Sequence, residues 1–261
     1  MYSKQELQKG LSVSLIGKKF FTFETIDSTN SCAKTLAEAG MEEGTVVLAD
    51  FQSAGRGRLG RTWLSEPGKN LLFSFILRPA MDSKAVGTLS LFAAAGVAHG
   101  IETFTGERIE CKWPNDLLIR GKKFCGILLE SSFSADKLDY AVIGAGINVN
   151  QTTFNSGLLQ RSTSLCTETG APVDRMALFQ SILHSLDSLY HHIQNRNNSE
   201  IMKEWLSRNS MTGKKTTVLH NGKEIDGIVH AFNEDGSMVL KTSGGLQSFY
   251  SGDVTLDAEE K

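Results

Sequence analysis

Apolar and polar residues alternate along Phe21-Thr22-Phe23-Glu24-Thr25, the two-residue period of a strand with one buried face. Asp27, Ser28, Thr29 and Asn30 follow as candidate helix caps. Ala33, Leu36 and Ala37 share one face of the helix they would open, and Gly40 would stop it. The runs 45–49 (TVVLA) and 71–77 (LLFSFIL) are predicted strands. Val86, Leu89, Phe92, Ala93, Val97 and Ile101 recur at helical spacing, which predicts a long helix over about 84–104. Strand-like runs follow at 109–113, 117–119 and 124–129, the last two separated by a hairpin turn at Arg120-Gly121-Lys122-Lys123, and residues 139–147 add another strand. Met176, Phe179, Ile182, Leu183, Leu186, Leu189, Tyr190 and Ile193 mark a second amphipathic helix, and 199–208 a shorter one. Residues 1–18 are polar and weakly amphipathic.

From 214 to 256 the pattern changes. Short runs are broken by Asn221-Gly222, Asp235-Gly236 and Gly244-Gly245, which predicts a small β-barrel and a boundary near Gly213. The expected domains are 1–212 and 213–261. Few helices and many short turns between strands predict an α+β fold with a mostly antiparallel sheet, not a doubly wound parallel one.

Composition narrows the function classes. A chain of 261 residues, 40% hydrophobic and 21% charged, reads as a soluble globular protein of one large domain, alone or with a small partner. The net charge of −2 lacks the basic surplus of a broad nucleic-acid binder. Cys32, Cys111, Cys125 and Cys166 form no C-x-x-C pair, which suits a reduced protein without a zinc site. The first twenty residues lack the apolar core of a signal peptide, and no apolar run is long enough to span a membrane, so a cytoplasmic location is expected. The six histidines show no metal-ligand spacing, and His191 and His192 read as helix-end residues.

Four segments carry candidate chemistry. Gly55, Gly57 and Gly60 satisfy G-x-G-x-x-G, but no helix is predicted after them, and Thr62 stands where a kinase loop wants Val. Arg56, Arg58 and Arg61 are threaded through those glycines. Glycine allows close backbone approach and arginine holds phosphate or carboxylate, so the loop is either an anion cradle or a solvated tip. In Lys112-Trp113-Pro114-Asn115-Asp116 the proline interrupts a strand; Asp116 could hold Mg²⁺ or orient an amine, or the segment is a plain Asn-Asp turn. Lys123 opens an apolar strand and either meets a negative ligand or is an ordinary hairpin lysine. Gly144-Ala145-Gly146-Ile147-Asn148 permits close ligand approach, or simply ends a strand.

Taken together, five segments resemble the biotin protein ligases (biotin–acetyl-CoA-carboxylase ligases), in that family's order and spacing: Asp27–Asn30, Gln52–Arg58, Lys112–Asp116, Lys123–Leu128 and Gly144–Asn148. The resemblance implies a class II aminoacyl-tRNA synthetase-like catalytic domain followed by an SH3-like barrel. It implies that Ser28, Thr29 and Asn30 hydrogen-bond the ureido head of biotin, and that Gln52, Gly55, Arg56, Gly57, Arg58 and Gly126 line and close the same pocket. Lys123 would hold the carboxylate and α-phosphate oxygens. Arg58, Arg61, Trp63, Lys112, Asn115 and Asn148 would serve ATP, and Asp116 Mg²⁺, the incoming lysine, or both. Arg56, Lys123 and Asp116 would be catalytic, and loss of Arg56 is expected to let biotinyl-AMP escape. The implied partner is the biotin carboxyl carrier domain of an acyl-CoA carboxylase, and the family admits homodimers through sheet edges. Only about 27 residues precede the Ser28 motif, too few for a winged helix-turn-helix, so no DNA partner is expected. The rival readings are a lipoate–protein ligase or octanoyltransferase on the same scaffold, and a non-enzymatic binding protein.

Overall fold

The computed structural model describes residues 4–154, 162–250 and 252–256. Two sheets organise it. The first has seven strands: β1 (Lys19–Ile26), β2 (Thr45–Gln52), β3 (Leu71–Leu77), β4 (Glu110–Lys112), β5 (Asp116–Ile119), β6 (Lys122–Ser134) and β7 (Lys137–Ile147), in the order β1-β2-β3-β7-β6-β5-β4. Only β1 and β2 run parallel; every other pair is antiparallel, as the short connections predict. The parallel pair follows from the crossover helix α2 (Thr29–Glu38), because a helix between two strands returns the chain in the same direction.

The helices are α1 (Lys4–Gln8), α2, α3 (Thr88–Thr105), α4 (Leu165–Thr169), α5 (Arg175–Gln194) and α6 (Asn198–Leu206). α3 begins later than its apolar period suggests. Asp82 Oδ1 accepts from the amides of Lys84 and Ala85, and a tight turn fills the interval. α5 is capped by Asp174, which accepts from the amides of Met176 and Ala177, and His191 and His192 close its last turn. The β5–β6 hairpin is tighter than expected. Arg120 and Gly121 alone form it, both at positive φ (48° and 75°), the geometry of a two-residue primed turn.

Alternation along the central strands decides what each face of the sheet meets. Phe73, Phe75, Ile127, Ala141, Ile143 and Ala145 point to the side packed by α3 and α5. On the other side, α2 covers Val47, Ile76, Tyr140 and Val142 with Ala33 and Ala37. Gly126, Gly144 and Gly146 share that second side in register, Gly126 opposite Gly146 and Leu128 opposite Gly144. Having no side chains, they leave a depression beyond the end of α2.

The second sheet holds β8 (Lys215–His220), β9 (Lys223–Phe232), β10 (Met238–Thr242), β11 (Gly245–Phe249) and β12 (Asp253–Leu256), all antiparallel in the order β11-β10-β9-β8-β12, an arrangement consistent with an SH3-like domain. Its apolar face is continuous with the main core: Trp205 meets Phe232 edge-on at 4.7 Å, and Trp113 Nε1 donates to Gly236 O at 2.9 Å. The fold is therefore α+β, with an antiparallel sheet docked against the larger one. No helix among the described residues is long and apolar enough to cross a membrane.

Candidate active site

The depression over Gly126 and Gly146 widens into a cavity of about 1010 Å³. Every sequence-predicted site residue except Gly55 lines it. Gly55 instead forms the neck of the arginine loop, where its carbonyl accepts from the amide of Trp63 at 2.9 Å. The loop folds back on itself: the amide of Gly57 donates to Arg61 O at 2.7 Å, and a short 3-10 turn spans Arg58–Gly60. It is followed by loop, as its lack of helical pattern predicted.

One end of the cavity is built by the α2 N-terminus. Ser28 caps the helix and accepts from the amide of Ser31. The amide and hydroxyl of Thr29 both donate to Gln52 Oε1, at 2.7 and 3.0 Å. Ser28, Thr29, Asn30 and Gln52 are all buried. Asn30 is held by the protein at both ends of its amide. Its Nδ2 donates to Leu128 O and Glu130 Oε2, and its Oδ1 lies 2.6 Å from Ser74 Oγ. It comes so close to β7 that any Cβ on Gly144 would lie 1.9 Å from Asn30 Oδ1.

The middle of the cavity is charged. Lys123 Nζ lies 2.6 Å from Asp116 Oδ1 and 5.7 Å from the Trp63 ring centroid. Register explains the meeting: Asp116 pairs with Gly126 across a β5–β6 irregularity that brings Lys123 to the same side. Trp63 lies on the glycine shelf, where a Cβ on Gly146 would come within 2.5 Å of its indole.

The far end is polar. Asn115 is clamped to β6, its Nδ2 donating to Ile127 O at 2.7 Å, and its Oδ1 accepts from Arg58 NH1 at 3.1 Å. The same arginine nitrogen donates to Gly252 O at 3.2 Å, so the loop bridges both sheets. Asn148 Nδ2 donates to Thr163 O. Trp63 Nε1, Ser65 Oγ and Asn148 Oδ1 are buried without a hydrogen-bond partner among the described residues, the state expected of groups that a polar ligand would satisfy. Val254 and Thr255 of β12 complete this wall.

Arg56 lies on the cavity wall with its guanidinium engaged by β6 and α2. It forms an ion pair with Glu130 through NH2, and its NH1 donates to Ser31 Oγ at 3.2 Å. No cluster of three His, Cys, Asp or Glu suited to a metal occurs among the described residues. Burial pushes the Cys111 thiol up to about 12 and raises that of Cys125 further, so neither is a nucleophile at neutral pH.

Sequence reasoning missed Ser74, Glu130 and the β12 wall. Ser74 carried a usable signal as the one polar residue in LLFSFIL. Glu130 carried a weaker one, as the first charge after an apolar run. Gly252, Val254 and Thr255 carried none, because only the docking of the second sheet brings them here.

A model of the biotin/lipoate A/B protein ligase family matches residues 22–148. The bifunctional ligase/repressor BirA of Bacillus spizizenii is 35% identical over 256 residues, covering 97% of this chain and 79% of the relative. The biotin–[acetyl-CoA-carboxylase] ligase of Paracoccus denitrificans is 31% identical over 233 residues, covering 87% and 96%. Among solved structures, a biotin protein ligase from Aquifex aeolicus in complex with biotin and ATP superposes with a TM-score of 0.77 at 31% identity, over 92% of this chain and 98% of that one.

Proposed function

The chain belongs to the biotin/lipoate A/B protein ligase family, and from that premise we propose that it is an ATP-dependent biotin–protein ligase. It joins biotin to AMP and passes the biotinyl group to a lysine of a biotin carboxyl carrier domain of an acyl-CoA carboxylase. The observation that carries this reading is the convergence of five separated motifs on one cavity, with the Lys123–Asp116 pair between a buried polar end and the arginine loop. Residues 1–212 are the catalytic domain and 213–261 a second domain that completes its wall, and the protein works in the cytoplasm.

In the first step a carboxylate oxygen of biotin attacks the α-phosphorus of ATP. The bond to the β-phosphate bridging oxygen breaks and pyrophosphate leaves. Ser28, Thr29 and Gln52 hold the ureido head; Asn30, its amide also held by the protein, frames that pocket. Gly57 and Gly126 let the backbone come close to the ligand, and Gly55 shapes the neck on which the arginine loop turns. Lys123 and Arg56 supply positive charge to the carboxylate and α-phosphate oxygens as negative charge builds. Arg58, Arg61, Trp63, Lys112, Asn115 and Asn148 bind the nucleotide, and the arginine loop closes over the mixed anhydride to keep water out.

In the second step the neutral lysine amine attacks the acyl carbon, AMP leaves, and the amine loses a proton. Asp116 orients that amine. A single carboxylate suits Mg²⁺, which takes one or two carboxylates and completes its shell with phosphate oxygens and water. Asp116 would hold the ion, which supplies charge neutralisation to the phosphates.

The deciding experiment mixes the protein with ATP, Mg²⁺, biotin and a carrier domain, and reads pyrophosphate release and the mass of the carrier lysine. Modification by biotin with none by lipoate is expected. Lipoate transfer alone would move the chain to the lipoate branch, and silence with both would leave only a binding protein.

A further inference from the structure

We propose that Glu130 is a positioning residue that ties the lid to the head-recognition end of the cavity. The functional consequence rests on the ligase reading; the tether itself does not. Glu130 shares the face of β6 that carries Gly126 and Leu128, which line the cavity, and it stands beside the first turn of α2. Its two oxygens serve different elements. Oε2 accepts from Asn30 Nδ2 at 2.9 Å, while Oε1 pairs with Arg56 NH2. Arg56 also donates to Ser31 Oγ, so it touches α2 directly and through the carboxylate.

Behind Glu130 the chain of contacts is buried. Asn30 gives its second amide proton to Leu128 O at 3.3 Å, and Ser74 Oγ lies 2.6 Å from Asn30 Oδ1 and 2.8 Å from Thr29 Oγ1. Ser74 is fully buried in an otherwise apolar strand. Three elements, β3, α2 and β6, thus hold one end rigid, because breaking any link strands a buried polar group. The other end is Arg56, 44% exposed at the neck of a glycine-rich loop. A carboxylate fixed to β6 and α2, paired with a guanidinium carried by the loop, sets where the loop sits relative to Thr29 and Gln52. The lid and the biotin-head contacts are therefore ordered as one unit.

Glu130→Gln isolates the charge. The amide keeps the shape and still accepts from Asn30, and the side chain is at the rim, so the core is untouched. Two measurements test the tether. The first is trypsin cleavage at Arg58 and Arg61 in the ligand-free protein, followed by mass spectrometry. Glu130→Gln should speed cleavage by about threefold, the scale of a half-exposed ion pair. In an Arg56→Gln background the same change should add nothing. Cleavage of Glu130→Gln at the parent's rate, or effects that multiply in the double variant, overturns the proposal.

The second measurement is pyrophosphate release at varied biotin and varied ATP. Glu130→Gln should raise KM for biotin by about threefold while KM for ATP stays near the parent's. A rise in KM for ATP alone also overturns the proposal. A parent silent in pyrophosphate release, with the cleavage pattern as expected, refutes the ligase reading and leaves the tether standing. An active parent with unchanged cleavage does the reverse.

Discussion

Arg58 is the residue whose loss should open the lid. Its NH1 group donates to Asn115 Oδ1 and to Gly252 O, and so joins the arginine loop to the β4–β5 turn and to the second sheet. Arg58→Gly removes both bonds and adds a glycine to a loop already rich in them. Each half-buried bond from a charged donor contributes about 1 kcal/mol, so the pair contributes about 2 kcal/mol, or roughly a thirtyfold change in a rate or equilibrium. The added backbone entropy contributes about 0.5–1 kcal/mol in the same direction. The assay loads the enzyme with biotin and ATP, removes pyrophosphate enzymatically, and follows escape of biotinyl-AMP by tryptophan fluorescence and by labelling of bystander lysines. Arg58→Gly should release its adenylate about thirty- to a hundredfold faster than the parent. Arg56→Gly should leak less, because its half-exposed pair with Glu130 contributes under about 1 kcal/mol. Equal retention by Arg58→Gly and the parent, or a larger leak from Arg56→Gly, would show that the Arg58 bonds to Asn115 and Gly252 do not hold the loop closed.

Gly146→Ala places a methyl group within 2.5 Å of the Trp63 indole, so it should weaken biotin and ATP binding by about 1–3 kcal/mol on titration calorimetry while the melting temperature moves little; unchanged affinity would show that Trp63 does not shape the pocket. Burial by itself would raise the Asp187 pKa, but amides of Ser14, Ile16 and Leu15 outweigh it and lower the value, so the carboxylate stabilises the fold above the ordinary Asp range near about 4 and loses that contribution as the pH falls through its folded value. Asp187→Asn should therefore cost about 1–2 kcal/mol in urea unfolding at pH 7, with the gap narrowing below about pH 4; a gap independent of pH would contradict this. Finally, iodoacetamide at pH 8 should label Cys32 and Cys166 before Cys111 and Cys125, which are buried, and early labelling of Cys125 by mass spectrometry would mean that the β5–β6 edge opens.

Much of this protein was legible locally. The two-residue period located β1, the unbroken apolar run located β3, the 3.6-residue period located α3 and α5, and the turn residues located the small second sheet, because those signals depend on neighbours a few positions apart. The five motifs also marked the cavity wall, since each is a contiguous run of residues with its own chemistry. The division of labour among those residues was decided elsewhere. Asn30 reads in sequence as a ligand contact alone, yet Ser74, Leu128 and Glu130 also hold its amide. Arg56 and Arg58 look interchangeable in G-R-G-R, yet one is held by β6 and the other by a carbonyl 194 residues away in sequence. Local sequence determined which groups could do the chemistry, because residue type and short-range periodicity are properties of neighbours. Tertiary structure alone decided which groups already have partners, because a hydrogen bond or ion pair is satisfied by whatever packing brings within about 3 Å.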